Sequence, residues 1–481
     1  MQTAHVPWRE RLFINDEYFA LFVAQVISAM GDWIGFFAIA ELASTISGSP
    51  ETSVALVLTA RVAPGLFLAP VMGVIVDRFD KKLIMRIADL ARAAVFCVLP
   101  FVHSVFGLVL ASLALEMFTL LWSPAKEALV PSLVPRERLT SANSLGVLAA
   151  YGTMPIAGLF KFGLKQANDA LAGVSWLEPL QFGRSLGDTQ ALAFYVNALS
   201  FLAVAFIVWR YIKTPGTATP AVRAVGGDGA VDPPEEVSVS TIASIKEGWH
   251  YIFVNPVVRA VNLGLATALV GGAMLIPLGP IFADKIIGSA EKFSLFITSM
   301  GFGVAAGVGL LTAFQQRVHK ERAFVAAVFF GGVSLFGAVA MSSFWLAAAG
   351  TFALGVCAGG VYVIGFTLLH ENTDDDMRGR TFSTLLTLVR LCVLGSIALG
   401  PIIAALLEPL AQRWFPPPPG SDIPEARLFG VHLAVPGVRL TLWLASIVIM
   451  GASVLAARSL RIGFRENLAS FAPRALSGDS E

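Results

Sequence analysis

The sequence predicts an all-α integral membrane protein in which twelve transmembrane helices form two six-helix bundles. Of its 481 residues, 56% are hydrophobic and only 14% are charged, whereas a soluble domain carries about 25% charged residues. Apolar runs of about 20 residues, the length that crosses a bilayer, recur along the whole chain. One polar stretch rich in Pro, Gly and Glu, Thr214–Val239, divides these runs six and six.

The individual helices are predicted from apolar runs between charged or Gly/Pro-rich breaks. In lipid, every backbone N–H and C=O group needs a partner within its own segment, which favours helices over open strands. The first run is longer than the apolar core of a cleaved signal peptide, so we expect an uncleaved first span. The predicted spans are 18–45, 52–76, 83–103, 105–125, 140–163, 191–212, 257–283, 293–315, 322–341, 343–368, 381–407 and 437–457.

The spans group into two bundles joined by a polar linker. We expect an N-terminal bundle at 1–213, a cytoplasmic linker at 214–256, a C-terminal bundle at 257–460 and a cytoplasmic tail at 461–481. Within the linker, Ile242–Phe253 has the Trp, Tyr and Lys content of a helix that lies at the membrane surface. An offset of about 240 residues aligns the basic loops after spans two and eight, as two parallel repeats would.

The orientation follows from the distribution of Lys and Arg. Seventeen of these residues fall near the ends of the spans on one side and eight on the other. The positive-inside rule therefore places both termini and the linker in the cytoplasm. We expect a multi-pass protein of the cytoplasmic membrane. The net charge of +1 gives no reason to expect a nucleic-acid partner.

The loop after span two carries the most specific motif of the chain, GVIVDRFDKK at residues 73–82. It resembles the loop G-x-x-x-D-R-x-G-R-R between helices two and three of the major facilitator superfamily, with Asp80 in place of the second glycine and lysines in place of the terminal basic pair. The resemblance implies a conformational latch between the two halves of the protein on the cytoplasmic side. The latch residues would be Gly73, Asp77, Arg78, Lys81 and Lys82.

Each latch residue also has a physical reason to be there. Gly73 would allow close helix packing, and Asp77 would face the positive N-terminal end of a neighbouring helix. Arg78, Lys81 and Lys82 would hold the loop at the cytoplasmic surface. The plainer interpretation is that these basic residues only anchor the loop at that surface.

Further stretches narrow the resemblance to one branch of the superfamily. Bacterial drug and macrolide exporters and enterobactin-exporter-like proteins are similar at residues 24–33, 88–93, 123–131, 139–145, 246–256 and 377–380. The sequence MPIAG at 154–158 departs from the G-P-x-x-G that these exporters often have in helix five. The Gly-Asp of span one and the SPAK at 123–126 are also similar to lysophospholipid flippases of the same superfamily.

The resemblance to exporters implies secondary active transport. The expected function is the export of small amphipathic molecules, drug-like compounds or siderophore-like metabolites, by alternating access with proton coupling. The expected partners are a small-molecule substrate, protons and the lipid bilayer, and the expected state is a monomer without a cofactor. Two alternatives stay open: a lysophospholipid flippase of the same fold, and a membrane sensor or scaffold that does not transport. A proton-coupled exporter should need a carboxylate in its cavity, whereas a flippase could tolerate a neutral replacement.

Polar side chains recur at helical spacing inside two spans. In span one, Gln25, Ser28 and Asp32 are spaced i, i+3 and i+7 and share one helix face. In the fold that the resemblance implies, spans one, four, seven and ten line a central cavity. Burial generally favours the protonated form of a carboxylic acid, so Asp32 and Glu116 are candidates for proton coupling; the plainer interpretation of Asp32 is a cap or a hydrogen bond to a neighbouring helix. The stripe of span four is Ser112, Glu116, Thr119 and Ser123.

Other charged residues fall inside spans. Arg61 in span two and Arg390 in span eleven are deep, and Arg390 shares a face with Ser383 and Thr387, so it could meet an anionic group of a substrate. Asp89 and Arg92, three residues apart, predict a structural ion pair. We expect Glu41 at the membrane interface.

Motifs for other functions are missing from the sequence. The three adjacent aspartates at 374–376 predict a solvated helix cap rather than a metal site, and we expect no metal. The sequence contains no G-x-x-x-x-G-K-[ST], H-E-x-x-H or G-x-S-x-G. We therefore do not expect an enzyme or ATP-driven transport.

Overall fold

The structure, a computed structural model, describes residues 15–46, 48–135, 138–171, 174, 179–180, 190–214, 254–314, 319–373, 375–419, 423–428 and 431–471. The predicted linker lies outside the described residues except at its two ends, and its predicted interfacial helix lies wholly outside them. The described chain is almost entirely helical, as the sequence predicts.

Among the described residues, seven helices precede the linker. A short 3-10 turn, Leu99–Phe101, follows the third of them. They are α1 (Asp16–Thr45), α2 (Pro50–Arg78), α3 (Lys81–Val98), α4 (Val105–Leu133), α5 (Leu139–Gly152), α6 (Met154–Leu171) and α7 (Ala191–Tyr211).

In the part of the chain described after the linker, there are six helices and a small sheet. The helices are α8 (Pro256–Ile287), α9 (Lys292–Phe314), α10 (Lys320–Ala340), α11 (Phe344–Glu371), α12 (Asp375–Trp414) and α13 (Gly437–Phe471), and the strands are β1 (Glu425–Leu428) and β2 (Val431–Ala434).

Ten of the described helices are long and apolar enough to cross a membrane, and predicted spans three and five are not among them. Span three corresponds to α3, which has 18 residues and several charges. Span five is divided into α5 and α6 at Thr153. The break precedes Pro155, which has no backbone N–H to continue the helical hydrogen bonds. Two of the twelve predicted spans therefore lack a helix that is long and apolar enough to cross a membrane: span three because of its charges, and span five because of the break before the proline.

The connection before the last helix differs from its prediction. The helix predicted at 381–407 runs from Asp375 to Trp414, because Leu, Ala, Gln and Arg favour helix until the proline run that begins at Pro416. The rest of this connection contains the antiparallel hairpin β1–β2, which an all-α prediction omits. The last helix continues to Phe471, so the predicted tail at 461–481 begins as helix.

The described chain forms two compact units. Unit 1 comprises the described part of Met1–Gly229 together with Pro277–Gly301 and Ile397–Leu406. Unit 2 comprises that of Ala230–Ile276, Phe302–Ser396 and Leu407–Glu481. In this grouping, the end of α8 and the start of α9 belong to unit 1. The predicted division at 213 and 257 places both helices in the C-terminal bundle.

Specific contacts hold the segment Pro277–Gly301 in unit 1. The Thr298 hydroxyl donates a 2.9 Å hydrogen bond to the Pro155 carbonyl at the start of α6. A Cβ atom placed at Gly158 would lie 2.5 Å from the Thr298 Oγ1 atom and 2.6 Å from the Ser294 carbonyl oxygen. Only glycine therefore allows α6 and α9 to approach this closely.

Close packing of α1 on α7 positions the functional face of α1. A Cβ atom at Gly31 would lie 2.2 Å from Oδ1 of Asn197, and one at Gly35 would lie 2.5 Å from the Phe96 ring. Both positions need glycine, because no larger residue fits between these helices. Asp32, next to Gly31, is thereby held close to α3 and α7.

Unit 2 packs α10 against α11 and α13. A Cβ atom at Gly332 would lie 2.7 Å from the Met450 side chain. At the hairpin, Arg439 is fully buried and donates to the carbonyls of Ala434 and Met341. The arginine thus ties the start of α13 to the end of α10.

Candidate functional site

Unit 1 contains a cavity of about 730 Å³ between α1, α4 and α5. Its wall combines aromatic rings with four charged side chains. The aromatic residues are Tyr18, Phe22, Trp33 and Trp122, and the charged ones are Asp32, Glu116, Lys126 and Glu127.

Three polar residues of α1 line this cavity, and they are the three that share a face in the sequence. Gln25 Nε2 donates to the Gly146 carbonyl at 2.8 Å and so joins α1 to α5. The Ser28 hydroxyl is buried and has no hydrogen-bond partner among the described residues. Asp32 forms ion pairs with two arginines of neighbouring helices. The structure therefore brings Gln25, Ser28 and Asp32 to one cavity.

The polar stripe of α4 reaches the same cavity in part. Glu116, Thr119 and Ser123 line it, whereas Ser112 is buried away from it. The Thr119 hydroxyl donates to the Leu115 carbonyl at 2.9 Å, so its hydrogen is already engaged.

Asp32 is at the centre of an ion-pair network that crosses three helices. Its Oδ1 atom lies 3.3 Å from Nη2 of Arg61 on α2, and its Oδ2 atom lies 3.3 Å from Nη1 of Arg92 on α3. Arg92 also pairs with Asp89, whose other oxygen accepts a 3.2 Å hydrogen bond from the Trp122 indole. The Asp89–Arg92 contact has the spacing that the sequence predicts, while the contacts of Asp32 join residues far apart in the chain.

The environment of Arg92 suits a fully buried cation. Its guanidinium carbon lies 4.2 Å from the centroid of the Phe201 ring and 5.4 Å from that of Trp122. A cation over an aromatic face is stabilised by the ring quadrupole. Arg92 is therefore held by two carboxylates and two rings.

Among the described carboxyl groups of this region, Glu116 differs from Asp32 and Asp89 in its contacts. It has no hydrogen bond or ion pair within the part of the chain that the structure describes, although it interacts electrostatically with Arg61, Asp32 and Arg92. A Cβ atom at Gly65 would lie 3.3 Å from its Oε1 atom, so α2 approaches it closely. Three carboxyl groups share two guanidinium groups, and one negative charge remains when all are ionised.

Lys126 and Glu127 also line the cavity, although the predicted bounds of span four, 105–125, leave Lys126 in the following loop. The predicted span ended at 125, but α4 continues to Leu133. The Lys126 side chain is 7% exposed and pairs with Glu127 Oε1 at 2.5 Å. The spacing Thr119, Ser123 and Lys126 could have shown that the lysine continues the polar face of α4.

Glu41 is not interfacial as expected. It is 2% exposed and forms an ion pair with Lys161, and its Oε1 atom accepts a 2.7 Å hydrogen bond from Gln190. Its partners come from α6 and from the residue before α7, so spacing within α1 could not reveal them. Burial is possible because both charges are compensated.

The predicted latch residues have mixed surroundings. Lys82 donates a 2.5 Å hydrogen bond to the Ile212 carbonyl just beyond α7, where a cation is favourable. Lys81 is buried rather than at the surface. A Cβ atom at Gly73 would meet no described atom within 4 Å, so the described residues show no close packing at this glycine and its latch role stays a prediction. Arg78 is exposed, and the side chain of Asp77 lies outside the described residues.

Arg390 lies in unit 2 and does not line the cavity of unit 1. Its side chain and that of Thr387 are exposed, and the side chain of Ser383 lies outside the described residues. The side chains of the three aspartates at 374–376 also lie outside the described residues. Among the described residues, no group of three or more His, Cys, Asp or Glu side chains could hold a metal ion.

Comparison with known proteins decides the family. The profile described as Major Facilitator Superfamily matches residues 21–394. The chain belongs to this superfamily. The match begins in α1, includes the loop GVIVDRFDKK and ends in α12, and the fold expected from that motif is confirmed.

Two relatives of this facilitator come from Bacillus subtilis (strain 168). The uncharacterized MFS-type transporter YkuC is 24% identical over 365 residues, which are 73% of this chain and 77% of YkuC. The uncharacterized MFS-type transporter YfiS is 23% identical over 409 residues, 82% of this chain and 88% of YfiS. These relatives support membrane transport rather than enzymatic activity.

Solved structures of other facilitators share the fold. A bacterial homolog of the human lysosomal transporter Spinster, in an inward-facing and unoccupied conformation, has a TM-score of 0.68 at 15% identity and covers 95% of this chain and 98% of its own. An inward-facing bacterial homologue of the iron transporter ferroportin has a TM-score of 0.62 at 13% identity, with 92% and 98% covered. At such low identity the likeness concerns the fold alone.

Proposed function

We propose that this facilitator exports small amphipathic molecules, drug-like compounds or siderophore-like metabolites, by alternating access and that protons drive it. Both termini lie in the cytoplasm, as the Lys and Arg distribution indicates, and the protein acts as a monomer. The family supports the transport, and the cavity of unit 1 supports the substrate class and the coupling.

The observation that carries the proposal is the unpaired carboxyl group of Glu116 beside the network of Asp32, Arg61, Arg92 and Asp89. Protonation of Glu116 would balance the two guanidinium groups with two carboxylates. Release of that proton would leave one negative charge at the cavity wall. A cationic group of a substrate and a proton would then compete for the same place, which is the basic requirement of exchange transport.

The rest of the cavity suits an amphipathic substrate. The rings of Trp33, Trp122 and Phe22 provide apolar wall, and pockets with mainly apolar walls and a few polar groups are typical of small-molecule sites. Asp32 has a positioning role, because it is already paired with Arg61 and Arg92. Its replacement would unbalance both arginines.

Efflux from energised inverted vesicles tests the proposal. Uptake of an amphipathic dye or a macrolide is compared for the wild type, Glu116→Gln and Asp32→Asn, each with and without a protonophore. Glu371→Gln is the matched control, because Glu371 is an exposed carboxylate paired with Lys320 outside the cavity. We expect the protonophore, Glu116→Gln and Asp32→Asn to abolish uptake, and the control to retain it. Uptake that persists with the protonophore and with Glu116→Gln would contradict proton coupling.

A lysophospholipid flippase is the second candidate function. The observation that favours it is a buried ammonium group, Lys126, at a cavity with aromatic walls, which could receive a phosphate headgroup. A fluorescent lysolipid moved between leaflets without regard to the protonophore would support the flippase. Dye uptake that depends on the proton gradient would support the exporter.

A further inference from the structure

The cavity has a second charged region besides the carboxylates. Lys126 follows Glu116 by ten residues on α4, and a rise of 1.5 Å per residue separates the two by about 15 Å along the helix. The lysine side chain is 7% exposed. A buried ammonium group is costly unless an anion compensates it.

The ion pair of Lys126 with its present partner, Glu127, contributes little stability. Glu127, its neighbour in the sequence, holds the ammonium group at 2.5 Å, but the Glu127 side chain is 59% exposed. A solvated carboxylate gains little from such a pair. Of the three N–H groups of the lysine, two have no acceptor within the part of the chain that the structure describes, so a second anion could bind.

Other groups converge on the same place. A Cβ atom at Gly146 would lie 3.6 Å from Oε1 and 3.8 Å from Nε2 of Gln25, and 3.9 Å from Nζ of Lys126. The glycine therefore leaves open the space between the carboxamide and the ammonium group. One turn along α1, the buried Ser28 hydroxyl lines the cavity without a partner among the described residues.

We propose that Lys126, Gln25 and Ser28 form an anion subsite that binds the carboxylate or phosphate of a zwitterionic amphipathic substrate, and that Glu127 occupies Lys126 when the cavity is empty. The cationic group of the same substrate lies at Glu116, while Asp32 stays paired with its two arginines. The inference rests on the proposed function, since it assigns a substrate class to the same cavity.

Binding of tritiated 12-aminododecanoic acid to the full-length protein in nanodiscs tests the subsite, because this probe carries an anionic and a cationic end at comparable separation. Lys126→Gln should weaken binding at least tenfold, in line with the loss of a charge-assisted hydrogen bond, and Lys126→Arg should retain it. Glu127→Gln should tighten binding, because the competing carboxylate is gone. Binding of dodecylamine, which has no anion, should be unchanged in Lys126→Gln and shows that the variant is folded.

Competitors distinguish the source of the anion. Stronger displacement by lysophosphatidylethanolamine than by unlabelled 12-aminododecanoic acid would assign the subsite to a lipid phosphate, and the reverse order would assign it to a soluble carboxylate. In both cases the loss in Lys126→Gln must hold.

Unchanged probe binding in Lys126→Gln, or equal weakening in Lys126→Gln and Glu127→Gln, would overturn the inference and leave the pair as a structural contact. The binding assay needs no proton gradient, so a failure of proton coupling in vesicles does not affect it. Conversely, proton-coupled uptake could persist when the anion subsite is disproved.

Discussion

Arg61 donates from Nη2 to Oδ1 of Asp32 at 3.3 Å, while its Nη1 atom is buried without an acceptor among the described residues. A buried donor left unsatisfied costs about 1–3 kcal/mol. The same guanidinium group interacts electrostatically with Glu116. Arg61 is thus hydrogen-bonded to one cavity carboxylate and acts on the other through its charge alone.

Replacement of Arg61 is expected to impair coupling. Arg61→Met should lower uptake in vesicles by about tenfold or more, because Asp32 loses a charged hydrogen bond worth about 1.5–3 kcal/mol and Glu116 loses a nearby positive charge. It should also move the optimum of transport to higher pH. Uptake measured across a pH series checks both effects. Arg61→Lys should restore part of the activity, and a pH profile identical to the wild type in Arg61→Met would contradict the role.

The buried pair Glu41–Lys161 is expected to stabilise unit 1. Glu41→Gln removes the carboxylate that pairs with the buried Lys161, and breaking a buried pair on one side costs about 3–5 kcal/mol. Thermal unfolding in detergent should show a clearly lower Tm. The double variant Glu41→Leu with Lys161→Met should recover most of the loss, since replacement of both charges by apolar groups is often neutral; a double variant less stable than the single one would contradict this account.

Glycine at 158 is expected to be essential for the contact of α6 with α9. Gly158→Ala places a methyl group within 2.6 Å of the Ser294 carbonyl, so the helices must separate and we expect lower stability and less transport. Gly163→Ala on the same helix is the matched control, because a Cβ atom there meets no described atom within 4 Å. Equal effects of the two substitutions on Tm and uptake would show that the close approach is unimportant.

Lys82 is expected to contribute less to stability than the Glu41–Lys161 pair does. Lys82→Ala removes the hydrogen bond to the Ile212 carbonyl and the favourable charge at a helix end, which together contribute about 1 kcal/mol. We expect a slight decrease of Tm. If the latch inferred from the motif also operates, uptake falls far more than stability does, whereas parallel small decreases would favour simple anchoring.

The sequence predicts those parts of the protein that depend on local pattern. Apolar runs, the linker and the motif at 73–82 predict the fold, and helical spacing predicts that Gln25, Ser28 and Asp32 share the cavity. Helical spacing also predicts ion pairs between residues three apart, such as Asp89 and Arg92.

Contacts between distant parts of the chain could not be predicted in this way. Arg61 and Asp32 are on different helices, and Glu41 with Lys161 joins residues 120 positions apart. Lys126 was assigned to a loop because a charge after an apolar run usually marks a span's end, whereas α4 continues for two further turns. Single-sequence patterns contain no information on which helix faces which.

The role of Glu116 as the coupling carboxylate can be measured as proton release when substrate binds. Purified protein in weakly buffered detergent is mixed with a transported dye, and a pH indicator records the protons that leave. The account predicts release from the wild type and from Glu371→Gln, and none from Glu116→Gln even at dye concentrations that saturate it. Equal proton release from Glu116→Gln and the wild type would contradict Glu116 as the coupling carboxylate.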